Sequence, residues 1–249
     1  GFKTSSWSFG SRILTRYIAL FQVDRDKEHL KNKGNNSFEI VEKRRFGMIT
    51  YSEFVDIDND GFVELIIAGD WMPITVLSYT TEGKFENKTT QFGLDKTNGM
   101  WNVIKVSDFN NDGKLDIIAG NTGLNFKWKA SETTPVKIYL DDFDNNEQLD
   151  QLIFYNYFGK YVPFASKDKL VQQLPSLKKR FTNYSKFSNV EKLEDLTEKP
   201  ASEILETKYI YELRSMLYVN NGTTFTPKPL PKEAQLSTIE DVLITNNEI

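Results

Sequence analysis

Three stretches of the chain repeat one spacing of oxygen-bearing side chains, and each lies between two runs of β-forming residues. They are Asp56-Ile57-Asp58-Asn59-Asp60-Gly61-Phe62-Val63-Glu64, Asp108-Phe109-Asn110-Asn111-Asp112-Gly113-Lys114-Leu115-Asp116 and Asp142-Phe143-Asp144-Asn145-Asn146-Glu147-Gln148-Leu149-Asp150. Side-chain oxygens recur at positions 1, 3, 5 and 9 of each. Before them stand Met48–Val55, Val103–Val106 and Val136–Leu140, and after them Leu65–Gly69, Ile117–Gly120 and Leu152–Tyr155. Such flanks read as strands, so each unit is a strand, a nine-residue loop and a second strand.

A loop of this kind suits a hard cation. Ca²⁺ takes about 6–8 oxygens at about 2.3–2.6 Å, so several carboxylates must converge and the chain must turn sharply between them. Gly61 and Gly113 sit where the turn falls, and the main-chain carbonyls at position 7 (Phe62, Lys114, Gln148) would add a further ligand. Without an ion, adjacent carboxylates repel by about 1 kcal/mol per pair even in water. An EF-hand is excluded, because it needs a bidentate Glu at position 12 and helical flanks. Position 12 is Ile67, Ala119 and Ile153 here. The third loop departs from the other two, since Glu147 replaces the turn glycine and Asn146 lowers the charge. Two complete calcium loops and one irregular one are therefore expected.

These residues carry a family resemblance. The strand, D-x-D-x-D-G-x-x-D and strand unit resembles the FG-GAP or VCBS repeat of integrin-α-like β-propellers. Gly47–Thr50, Ala68–Pro73, Ala119–Asn125, Pro163–Leu170, Gln173–Phe181 and Pro229–Gln235 are similar to segments of bacterial UnbV-like VCBS-repeat proteins. The resemblance runs from about residue 28 to the end. It implies propeller blades with Ca²⁺ in the loop between the first two strands of each blade, and it implies no chemistry.

The expected fold class is mainly β: propeller-like blades of antiparallel four-stranded sheets in one domain over residues 1–249, with a helical insertion at 166–206. In that insertion Leu170, Val171, Leu174, Leu177 and Phe181 recur at helical intervals, interrupted by Pro175. Ser188-Asn189-Val190-Glu191 matches a capping box that would start a further helix. A turn is expected at Glu82-Gly83 and a hairpin at Met216–Lys228 around Asn221-Gly222. Asp56 and Asp108 are 52 residues apart, enough for a blade, but Asp108 and Asp142 only 34. Either the middle blade is reduced or the third loop closes a hairpin of the same blade. Ile239–Thr245 reads as the first strand of another blade, with its loop starting near 245–247. The visible blades are fewer than the about 4–8 of a closed propeller, so the reading is an incomplete propeller, either the front part of a longer chain or one that closes in an unusual way. Its exposed edges would favour self-association.

Other chemistry finds little support. There is no cysteine, hence no disulfide or thiolate site, and His29 is the one histidine, in a charged stretch. Net charge is −4, and ten of the acids occupy the loop positions, so three calcium ions would leave about +2. A nucleic-acid partner is not expected. Lys178-Lys179-Arg180, with Lys167, Lys169 and Lys186, reads as a solvated helix face. No apolar run is long enough to span a bilayer, and no secretion signal is visible in this sequence. Loops without a position-12 Glu suit the about 10⁻⁴–10⁻³ M affinities of extracellular modules, which points to the periplasm or cell surface. The expected role is a binding or adhesion scaffold for a protein or glycan partner. Two alternatives stand beside it. One is an envelope enzyme acting on polysaccharide through Glu53 and Asp70; the other is a lectin-like sugar binder using Trp71, Trp101 and Trp128 with Tyr155 and Tyr157.

Overall fold

The structure, a computed structural model, describes residues 27–34, 37–80 and 84–245. β1 (Lys27–Gly34) and β2 (Ser37–Arg44) form an antiparallel ribbon. β3 (Met48–Val55), β4 (Glu64–Met72), β5 (Thr75–Tyr79) and β6 (Phe85–Asn87) then make an antiparallel meander, and short β7 (Gly99–Met100) pairs with the end of β4. A second sheet opens with β8 (Val103–Ser107) and β9 (Asp116–Gly120). The chain leaves it there to build a third sheet from β10 (Val136–Asp141), β11 (Asp150–Tyr157), β12 (Lys160–Pro163) and β13 (Glu206–Ile210). Helices α1 (Lys167–Gln173), α2 (Leu177–Arg180), α3 (Tyr184–Phe187) and α4 (Leu193–Thr197) lie between β12 and β13. Only afterwards do β14 (Met216–Asn220) and β15 (Phe225–Pro229) return to complete the second sheet, in the order β15-β14-β9-β8.

The described residues are thus mainly β, and apart from the β1–β2 ribbon each antiparallel, blade-like sheet opens with a hairpin whose loop is one of the three carboxylate stretches. Nesting answers the short interval between the second and third loops. The middle blade is not reduced, and the third loop does not share its sheet. The second sheet is interrupted over residues 121–215 by the whole of the third.

Alternation along the strands explains how the layers adhere. Ile66 and Ala68 of β4 meet Ile104, Ile117 and Ala119 of the second sheet, with Trp101 fully buried among them. Gly69 in β4 is required by close approach, because a Cβ there would lie 1.9 Å from the carbonyl oxygen of Met48. On the third sheet Ile138, Leu140 and Tyr155 face a cluster holding Trp71 and Trp128. The alternate residues Tyr139, Leu152 and Phe154 face the helices, where they meet Leu170, Leu174, Leu177, Phe181, Leu193 and Leu196. Those six side chains are buried at about 1.5–3 kcal/mol each, enough to hold helices too short to form alone.

The expected break at Pro175 separates α1 from α2. Two local expectations are corrected. Ser188 does not start a helix; it is the C-cap of α3, and α4 starts at Leu193 with Asp195 accepting from the N–H of Glu191 at 3.0 Å. Residues 239–245 form no strand; Ile239 instead donates to the carbonyl of Asn121 at 3.1 Å and packs on Gly120. The Glu82-Gly83 turn and residues 246 and 247 lie outside the described residues. The 221–224 turn holds as expected, with Asn221 N–H on Thr224 O at 2.9 Å.

Candidate metal centres

The three loops close by one set of hydrogen bonds. Position 4 is left-handed in each (Asn59 φ 60°, Asn111 φ 60°, Asn145 φ 59°), a conformation that Asn tolerates better than most residues. Position 6 is left-handed too: Gly61 at 89°, Gly113 at 82° and, without a glycine, Glu147 at 65°. These turns aim consecutive N–H groups at the position-1 carboxylate. Asp56 accepts from Asp60 and Gly61 at 3.0 and 2.9 Å. Asp108 accepts from Asp112 and Gly113 at 3.1 and 2.8 Å, and Asp142 from Asn146 and Glu147 at 3.0 and 2.8 Å.

Position 9 returns at the start of the second strand and accepts from the N–H of position 2. The bonds are Ile57 to Glu64 at 3.1 Å, Phe109 to Asp116 at 3.3 Å and Phe143 to Asp150 at 3.3 Å. Glu64 and Asp116 are buried, at 1 and 0% exposure. The result is convergence of positions 1, 3 and 9. Oxygens of Asp56, Asp58 and Glu64 lie within 4.8 Å of one another, as do those of Asp142, Asp144 and Asp150. In the second loop position 3 is Asn110, whose amide bonds both the N–H (2.8 Å) and the carboxylate (3.2 Å) of Asp112. The second loop therefore offers an amide oxygen at position 3 where the other two offer a carboxylate.

Position 5 does something else. Asp60, Asp112 and Asn146 each accept from the N–H of position 7 (Phe62, Lys114 and Gln148) at 2.8, 2.9 and 2.8 Å. These are Asx turns, and Asp60 stands outside the converging group of its loop.

The electrostatics follow from the crowding. Burial, then the charges of Asp60 and Asp56, push the Asp58 carboxyl above its ordinary value. Glu64 and Asp150 are raised likewise, chiefly by burial. Asp108 is lowered, with the N–H of Gly113 the largest cause. At Asp142 burial acts upward, but the N–H groups of Glu147 and its neighbours together outweigh it.

A hard cation fits these groups. The donors are carboxylate oxygens that lie within 4.8 Å of one another, close enough for one ion at about 2.3–2.6 Å from each to bridge them. Asp144 Oδ1 is moreover buried with no hydrogen-bond partner among the described residues.

The family whose model matches is the FG-GAP-like repeat. Residues 56–119 carry the match. No curated protein and no solved structure matches the chain. The matched FG-GAP-like stretch runs from the first ligand position of loop one to the end of the second loop's following strand, so it takes in two of the three loops. The third lies outside the match yet has the same hydrogen-bond geometry. The narrower UnbV-like resemblance is not confirmed by the comparisons.

The other candidates separate. Glu53 pairs opposite Ile66, four residues along β4 from Asp70, which places the two carboxyl groups' backbones about 13 Å apart. Burial raises the Glu53 carboxyl and Lys105 opposes that rise. Trp71, Trp101, Trp128 and Tyr155 are 3, 0, 0 and 4% exposed, so they pack between sheets and form no platform for a sugar. Trp71 and Trp128 meet edge-tilted at 6.2 Å. In the basic run Arg180 pairs with Glu198 at 3.0 Å, and on α1 Lys167 pairs with Asp168 at 2.9 Å. His29 lies in β1.

The partners that hold the ninth carboxylate were not legible in advance. Ser78 donates to Glu64 at 3.0 Å, the N–H of Asn220 to Asp116 at 2.8 Å and Gln173 to Asp150 at 3.0 Å. The Asn220 amide also donates to the carbonyls of Ile57 (3.0 Å) and Leu115 (3.1 Å), tying the first two loops together.

Proposed function

We propose that the protein is a calcium-stabilised, β-propeller-type scaffold that presents a binding surface to a protein or glycan outside the cytoplasm. The observation that carries this reading is the threefold recurrence of one hydrogen-bonded loop geometry, with three carboxylates converging in the first and third loops and the first two loops lying in an FG-GAP-like repeat. Asp56, Asp58 and Glu64 would hold one ion, Asp108, Asn110 and Asp116 a second, and Asp142, Asp144 and Asp150 a third. Position-5 side chains and position-7 carbonyls complete each shell once the Asx turn at position 5 yields. The ion supplies positive charge at a point where folding gathers negative charge, and so adds folding free energy by mass action. Millimolar affinities would fill such sites only where calcium is abundant, hence the extracytoplasmic setting.

A scaffold is favoured over a lectin by the burial of the tryptophans. Among the described residues no helix is long and apolar enough to cross a membrane. Equilibrium dialysis against millimolar calcium tests the reading. About three ions should bind per chain, falling by one in an Asp56→Ala, Asp58→Ala double variant. No bound calcium in the wild type would remove it.

A further inference from the structure

The outer oxygen of the ninth carboxylate is held in every loop, but the third loop is held differently. In the first two sheets the donor belongs to the third strand of the meander: Ser78 ends β5's pairing with Glu64, and Asn220 ends β14. In the third sheet the strand in that place, β12, pairs only from Phe154 to Tyr157 and stops short of Asp150 and Gln151. Gln173, the last residue of α1, stands there instead. Its Nε2 donates to Asp150 Oδ1 at 3.0 Å and to the main-chain oxygen of Gln151 at 3.2 Å. One side-chain amide thus supplies donors that the missing length of strand would have supplied.

The helical insertion also grips the other end of the same loop. Asp141, the residue before position 1, accepts from Lys199 Nζ at 2.5 Å and from the N–H of Leu205 at 3.2 Å. Leu170 of α1 and Leu174, which caps it beside Gln173, bury against Leu152 and Phe154 of β11 and so bring the amide to the loop. Loops one and two have their ninth carboxylates held by strands of their own sheets, and nothing in the insertion touches those carboxylates.

We propose that Gln173 is a positioning residue for a cation in the 142–150 loop, so that filling this loop and docking the helices of the insertion are one coupled equilibrium. The inference rests on the calcium reading above and gives it a regulated member: two loops act as fixed structural sites, while the third senses or sets the order of the helices. A donor on a ligating carboxylate fixes its rotamer, and loss of such outer contacts typically weakens metal affinity about 10–100-fold. Coupling is reciprocal, so calcium must tighten the helices by the factor by which docked helices tighten calcium.

Hydrogen exchange on the full chain, with millimolar calcium and with EGTA, tests this in the wild type, Gln173→Ala and Gln173→Glu. The Glu variant keeps helix propensity but sets a like charge on Asp150, and far-UV circular dichroism confirms that helices persist. In the wild type, calcium should slow exchange across residues 167–197 about tenfold, together with the β3–β4 and β8–β9 hairpins. Both variants should lose the slowing in 167–197 and keep it in those two hairpins. If calcium protects the hairpins but leaves 167–197 unchanged in the wild type, or protects 167–197 equally in the variants, the coupling is wrong and the calcium reading stands. If no segment responds to calcium, the calcium reading falls and the coupling with it.

Discussion

Asn220 is the side chain whose loss should be felt in two loops at once. It is 3% exposed, and its amide donates to Ile57 O and Leu115 O while its own oxygen accepts from the N–H of Gly222 at 2.8 Å. Truncation to Ala removes those three bonds but leaves the main-chain N–H of residue 220 on Asp116, so the change isolates the side chain. At about 1 kcal/mol net per bond, the loss is about 3 kcal/mol. For a chain of this size that lowers the melting temperature by about 6–12 °C. Asn220→Asp should be at least as costly, because a carboxylate oxygen would then face the two carbonyl oxygens that the amide now serves. Scanning calorimetry of both variants in EGTA reads the effect without any contribution from bound metal. Melting within about 2 °C of wild type for both would refute the idea that this amide joins the first two loops.

Further outcomes follow from the loops themselves. Gly113→Ala puts a Cβ at φ 82°, where no atom lies within 4 Å, so its cost of about 1–2 kcal/mol is conformational alone. The reverse change, Glu147→Gly, should relieve the same strain and raise the melting temperature by a few degrees; a fall would show that the Glu147 side chain contributes more than its backbone costs. Asn110→Asp completes a third carboxylate in the second loop and should tighten calcium there, read by titration calorimetry as a lower dissociation constant at equal stoichiometry. The calcium-induced rise in melting temperature should shrink between neutral pH and the carboxylate range. Asp58, Glu64 and Asp150 have raised values in the metal-free fold, so they take up protons early on acidification, and calcium must displace those protons. In EGTA the same three groups contribute stability that is complete below their unfolded values and is lost as pH rises through the raised ones. Asp108 and Asp142, whose values are lowered, act in the opposite sense: their contribution is complete above the unfolded value and is lost as pH falls. A calcium increment that grows on acidification would contradict the assignment.

The hairpins were readable because their information is local. Nine residues contain the oxygen spacing, the left-handed turn positions and the start of both strands, and the β-branched flanks set the pairing. The third loop's lack of a turn glycine was the misleading signal, since Glu147 adopts the turn anyway and the carboxylates converge as in loop one. The second loop, with its perfect turn glycine, lacks a three-acid group because Asn110 stands at position 3. What could not be read was everything that depends on the chain coming back. The nesting of one sheet inside another rests on β14 pairing with β9 across residues 121–215, and no periodicity records such a return. Asn220 meets Asp116 across 104 residues and Gln173 meets Asp150 across 23. Ser188 had capping-box spacing, but the chain turned there to end α3. Ile239–Thr245 had strand composition, but its apolar Ile239 was used to cover Gly120 beside the second sheet.

Thermal unfolding in calcium and in EGTA bears most directly on the claim that the loops are cation sites. At calcium about tenfold above the dissociation constant, each filled site adds about 1.4 kcal/mol, and three add about 4 kcal/mol. The melting temperature should therefore rise by about 8–16 °C in calcium, with a smaller rise in the Asp56→Ala, Asp58→Ala double variant. Coincident melting curves for the wild type in calcium and in EGTA would contradict calcium as the element that holds these hairpins.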